Sequence, residues 1–115
     1  LVTFDAVGPS AAGAGNAGTS PLTWSHTCGA SATALYVGVG VGMANPNADN
    51  GVTVTVTYNG ITMTAMSPGQ STNAVALTGN SGFIKVFKLA NPPTGSAFTV
   101  SVSVSPTTNV LALTG

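Results

Sequence analysis

Strict alternation of apolar and hydroxyl side chains constrains this chain more than any other feature. Val52, Val54, Val56 and Tyr58 alternate with Thr53, Thr55 and Thr57, and Phe98, Val100, Val102 and Val104 alternate with Thr99, Ser101 and Ser103. A period of two gathers every apolar group on one face of an extended strand, whereas a helix would scatter the same residues around its axis. Val and Thr are branched at Cβ and favour the pleated backbone as well. No stretch carries a helical period, and Glu, Arg and Gln are almost missing. The chain therefore reads as all-β.

Asn59-Gly60 sits between two such runs. A two-residue type I′ hairpin needs positive φ at both turn positions, and Asn-Gly meets that requirement at the least steric cost. The expected register sets Tyr58 against Ile61, Thr57 against Thr62, Val56 against Met63, Thr55 against Thr64 and Val54 against Ala65. Each apolar residue then meets an apolar one and each Thr a Thr, as a half-buried sheet requires.

Further strands are expected at residues 2–6, at residues 22–28 with Leu22, Trp24, His26 and Cys28 on one face, at 35–43, and at 109–113. Residues 83–90 are apolar on both faces, as in a strand at the centre of a sheet. Residues 8–20, rich in Gly, Ala and Ser, read as a surface loop or arm. Residues 67–80 read as a turn-rich segment around Pro68-Gly69, with a short strand at 74–77. Asn91-Pro92-Pro93-Thr94-Gly95 is a turn, because proline cannot donate to a ladder. The expectation is one antiparallel β-sandwich domain over residues 1–115, jelly-roll or immunoglobulin-like, with seven to eight strands.

Composition then excludes partners. Only 3% of the residues are charged, namely Asp5, Asp49, Lys85 and Lys88, where ordinary soluble domains carry roughly a quarter. Nucleic acid needs several Lys or Arg to displace counterions, and a membrane-surface patch needs a basic cluster. Neither is present. No apolar run is long enough for a membrane-spanning helix, and no basic segment followed by an apolar one marks a signal peptide. The first residue is Leu1 rather than Met, which fits a processed form or a piece of a longer protein. A single Cys, Cys28, precludes an intrachain disulfide.

Catalysis needs titratable groups in mutual reach, and the inventory is Asp5, Asp49, His26, Cys28, Lys85 and Lys88. His26 and Cys28 stand two residues apart on one strand, so their side chains run parallel and lack a third orienting group. They read as a partly buried His and a small apolar Cys. No catalytic residue and no cofactor is expected. Asn45, Asn47 and Asp49 before Gly51 have the spacing of oxygen ligands around a hard cation, but one carboxylate makes a weak calcium loop, and self-bonded Asx turns account for it as well.

Gly38, Gly40 and Gly42 alternate with Val37, Val39 and Val41. Glycine weakens a strand, so its repetition calls for a close neighbour on that face. The reading that asks least is a large side chain of the same molecule, with Trp24 the candidate; subunit packing and a sugar-binding groove are the others. The hydroxyl surface leaves strand edges without the charges that normally discourage pairing with another chain.

Four segments in order, 2–8, 22–27, 56–64 and 89–95, resemble a β-sandwich module of minor tail and other virion-surface proteins of actinobacterial bacteriophages, also found in large secreted bacterial surface proteins. The quoted residues are Val2-Thr3-Phe4-Asp5-Ala6-Val7-Gly8, Leu22-Thr23-Trp24-Ser25-His26-Thr27, Val56-Thr57-Tyr58-Asn59-Gly60-Ile61-Thr62-Met63-Thr64 and Leu89-Ala90-Asn91-Pro92-Pro93-Thr94-Gly95. The resemblance implies a noncatalytic structural or adhesive module. It also implies one more strand beyond the last segment, supplied by a longer chain or by a neighbouring subunit.

The expected function is that of a structural virion protein, tail-associated or surface-decorating. Its partners would be copies of itself, other virion or surface proteins and a host cell-surface glycan, with no nucleic acid and no membrane insertion. An extracellular filament subunit built by strand exchange and a carbohydrate-binding module are the alternatives, which would place the chain in a secreted or cell-surface setting.

Overall fold

A computed structural model describes residues 3–5, 12–14, 20–44, 52–72, 81–105, 107 and 110–115. Among them the chain forms β1 (Ala12–Ala14), β2 (Leu22–Thr27), β3 (Ala34–Met43), β4 (Thr53–Tyr58), β5 (Ile61–Thr62), β6 (Thr64–Thr72), β7 (Ser81–Ala90), β8 (Ala97–Ser105) and β9 (Val110–Thr114), and no helix. These strands make two antiparallel sheets, ordered β1-β9-β3-β7-β6 and β2-β8-β4-β5. The all-β sandwich expected from alternation is the architecture observed.

The inward faces follow the sequence period. Val54, Val56 and Tyr58 on β4 and Val100, Val102 and Val104 on β8 meet Val37, Val39, Val41 and Met43 on β3, Phe83 and Phe87 on β7, and Leu113 on β9 in one buried cluster. Thr53, Thr55 and Thr99 face solvent on the opposite side. The β2–β8 and β4–β8 ladders run without a shift, and the latter sets Thr55 against Ser103 and Thr57 against Ser101.

The turn at Asn59-Gly60 has φ of 51° and 73°, as a type I′ hairpin requires. Tyr58 pairs with Ile61 and Thr57 with Thr62 as expected, and the Met63 N–H donates to the Val56 carbonyl at 2.8 Å. There the hairpin stops. Thr64 pairs with Lys88 and Ala65 with Phe87 in the other sheet, so the expected pairs Thr55 with Thr64 and Val54 with Ala65 do not form. Met63 is buried at this corner, and its burial anchors the chain as it changes sheets, a recognised way of turning a sandwich corner.

Three further expectations are corrected. Thr3, Phe4 and Asp5 lie outside any strand, and Phe4 is 80% exposed; alternation over so few residues does not supply a partner. Within the presumed loop 8–20, β1 pairs Ala12 with Thr114 and Ala14 with Ala112, because β9 offers it an edge. Pro68-Gly69 does not end a strand but lies within β6, where the register jumps from Ala65 opposite Phe87 to Gln70 opposite Lys85. The bulge absorbs the proline that a regular ladder could not. The strand expected at 74–77 lies outside the described residues.

The Gly60→Ala variant is expected to lose about 1–2 kcal/mol, because a Cβ at φ of 73° enters the disfavoured left-handed region. Urea unfolding should show a lower midpoint with an unchanged slope.

Candidate functional site

The sandwich has two unlike outer faces. The face of β2, β8 and β4 presents hydroxyls: Thr23, Ser25, Thr27, Thr53, Thr55 and Thr99 are exposed. On the other sheet, Tyr36 and Ile84 are 54% and 56% exposed, with Gly38 between them. Tyr36 stands directly opposite Lys88, whose Nζ lies 5.8 Å from the centre of the tyrosine ring. That contact is within cation–π range. The apolarity of β7 on both faces therefore reflects a central position in the sheet without cover on the outer side.

Gly38, Gly40 and Gly42 lie on this outer face, in three different surroundings. A Cβ at Gly38 would meet nothing within 4 Å. At Gly40 it would stand 2.7 Å from Thr114 Oγ1, a side-chain atom of β9, whereas at Gly42 it would make ordinary contact with the Ala112 Cβ at 3.5 Å. Gly82, opposite Gly42, has the least yielding neighbour of the four: its Cβ would lie 2.9 Å from a backbone atom, the Val41 carbonyl oxygen. No sequence signal marked Gly82, because the constraint comes from a strand some forty residues away.

Trp24 does not cover the glycines. It belongs to β2 in the opposite sheet, packs against the core, and sits against Gly115, where a Cβ would collide with its ring. The expectation that Trp24 fills the groove fails because the two groups lie on different faces of different sheets.

His26 and Cys28 do share the inward face, as alternation indicated, and both are buried. They surround Tyr58, whose hydroxyl donates to the His26 carbonyl at 3.0 Å. Phe98 packs edge-on against the tyrosine ring at 5.7 Å. Burial pushes the Tyr58 phenol above its ordinary value of 10.0, with the Cys28 thiol adding to the effect. The group is a packed polar anchor.

The remaining titratable side chains are dispersed. Asp5 accepts a hydrogen bond from the Gly29 N–H at 2.6 Å, beyond the end of β2. Lys85 holds a half-buried position on β7 opposite Val39, its Nζ 5.5 Å from the Phe83 ring centre. Among the described residues no group of three or more His, Cys, Asp or Glu side chains is assembled. Asn45, Asn47 and Asp49 lie outside the described residues.

Edges are the feature that sequence reasoning named without locating. Among the described residues the four edge strands are β1, β6, β2 and β5, and none of them contains Lys, Arg, Asp or Glu. Both lysines stand on β7, which is paired on both sides.

No family model, no curated protein and no solved structure matches the chain.

Four outcomes are expected here. Gly82→Ala should cost about 1–3 kcal/mol, since the obstructing atom is backbone, whereas Gly38→Ala should stabilise the isolated chain by about 0.5–1 kcal/mol; paired urea titrations check both. Tyr58→Phe should cost about 0.5–1.5 kcal/mol by removing the hydroxyl's hydrogen bond to the His26 carbonyl, which the β2–β8 ladder still pairs. Because the folded state holds the phenolic proton more tightly, the pH-linked contribution is fully present below pH 10.0 and is lost as pH rises through the folded value. Stability measured across this alkaline range should fall more steeply in the parent than in the Phe variant.

Proposed function

We propose that this chain is a noncatalytic structural module of a bacteriophage particle, tail-associated or surface-decorating. It works by packing against copies of itself and other virion proteins, and through them against a host cell surface. The observation that carries the assembly reading is the placement of charge: among the described residues every edge strand is uncharged and both lysines sit on a central strand. A free-standing monomer ordinarily guards its edges with charge. The separation of Asp5, Lys85 and Lys88 from the packed His26, Cys28 and Tyr58 group supports a noncatalytic role.

The phage assignment rests on the resemblance of the four ordered segments. The exposed stripe of Tyr36, Gly38 and Ile84 is a second surface available for such contacts, and Gly38, Gly40 and Gly42 are its interface candidates.

An antibody raised against the purified chain should decorate intact particles in immunogold microscopy. Label confined to cell-surface fibres would replace the reading with a filament subunit, and saturable glycan binding by a chain absent from particles would replace it with a carbohydrate-binding module. Because the contacts are uncharged, any self-association followed by sedimentation should change little between about 0.05 and 1 M salt.

A further inference from the structure

We propose that the outer edge of β2 is a pairing site for β2 of a second copy of this chain, joining the two four-stranded sheets antiparallel about a two-fold axis through Ser25. The inference rests on the assembly reading above and names its contact.

The direction of the backbone groups follows from hydrogen bonds at the margins of β8. The Thr99 carbonyl accepts from the Asn59 N–H at 3.0 Å, on the β4 side. The Val104 N–H donates to Ser20 Oγ at 3.1 Å, on the β2 side. Antiparallel ladders alternate, so the even-numbered residues of β8 bond toward β2. Their partners Leu22, Trp24 and His26 bond back. The N–H and C=O groups of Thr23, Ser25 and Thr27 therefore point outward, and no strand among the described residues lies beyond them.

The ends of this edge are closed. Pro21 has no N–H, and the Gly29 N–H is already held by the Asp5 carboxylate. Among the described residues three consecutive outward positions remain open, with Ser25 at their centre. A two-fold axis there pairs Thr23 with the second copy's Thr27 and Ser25 with the second copy's Ser25, using all the open groups.

The other edges are less suited to such pairing. β1 and β5 have three and two residues, and β6 contains Pro68-Gly69 and a register break. β2 has six residues, no proline, no bulge and no charge. Lack of charge matters most for a second copy, because any charged residue near a two-fold axis meets its own like charge. Side-chain faces also agree, since the same register sets Trp24 beside the second copy's His26 and Leu22 beside its Cys28. Leu22 and Trp24 are only half-buried, while their partners on β8, Val102 and Val100, are almost wholly enclosed. An added strand would complete their cover.

Hydrogen-bonded antiparallel partners have Cα atoms about 5.5 Å apart, within the disulfide range of about 4.4–6.8 Å. Ser25 is exposed and Cys28 is buried, so Ser25→Cys under mild oxidation, or with a short bis-maleimide, reports the contact. Covalent dimer is expected from Ser25→Cys and not from Thr55→Cys, a control on the same hydroxyl face. Ser25→Lys should weaken the sedimentation dimer at least about tenfold, while Thr55→Lys, with the same charge change, should leave it intact. Circular dichroism on each variant separates loss of pairing from loss of fold, and the near-isosteric Cys variant carries the test should the Lys variant unfold. A parent chain that stays monomeric to about millimolar concentration, or that dimerises without Ser25→Cys cross-linking, overturns the proposal. Particle labelling by the antibody would stand in either case, so the two readings fail separately.

Discussion

β8 has to be paired along both of its edges while carrying one face of the core, and the rest of the sandwich depends on that. Val100, Val102 and Val104 point inward, between Leu22, Trp24 and His26 of β2 on one side and Val54, Val56 and Tyr58 of β4 on the other. A backbone group left unpaired in such a position would cost about as much as a lost hydrogen bond. Two regular ladders without a shift are the solution. They fix the inward register of three strands at once, because a slip by one residue would turn valines to solvent and hydroxyls to the core. Tyr58 ties the layer further, reaching from β4 to the backbone of β2.

The facing sheet is less regular. β9 pairs with β3 through a shift at Gly42 to Met43, and β6 pairs with β7 through a break at Met66 to Gly69. Two glycines are adjustments to this sheet: Gly40 makes room for Thr114 of β9, and Gly82 makes room for the backbone of β3. Irregularity and proline protect an edge without charge. The hydroxyl-faced sheet has neither device along β2, and there the lack of charge bears on association.

The hairpin, the inward residues and the fold class were legible because each depends on local rules. Alternation fixes which side chains share a face, and Asn-Gly fixes a tight turn. The exit of the chain at Met63 was not legible, since Thr64 and Ala65 continue the alternation and only the offered partner, β7, draws them into the other sheet. For the same reason residues 3–5 looked like a strand and β1 like a loop: short segments take the conformation that a neighbour's free edge allows. The glycines of β3 were visible as a pattern, but the obstruction at Gly40 belongs to Thr114 and that at Gly82, which no pattern marked, to the Val41 carbonyl.

By itself the sequence determined the period of two, the sandwich class, the place of the turn and the scarcity of ionic chemistry, because these depend on each residue and its near neighbours. Which strands became edges was decided only by the tertiary structure, through pairings between segments far apart in the chain. The central place of residues 83–90, with both lysines, was legible in the sequence, but the decision on edges left Thr23, Ser25 and Thr27 with outward backbone groups. Charge scarcity is a property of composition. An undefended edge exists only once the strands have been ordered.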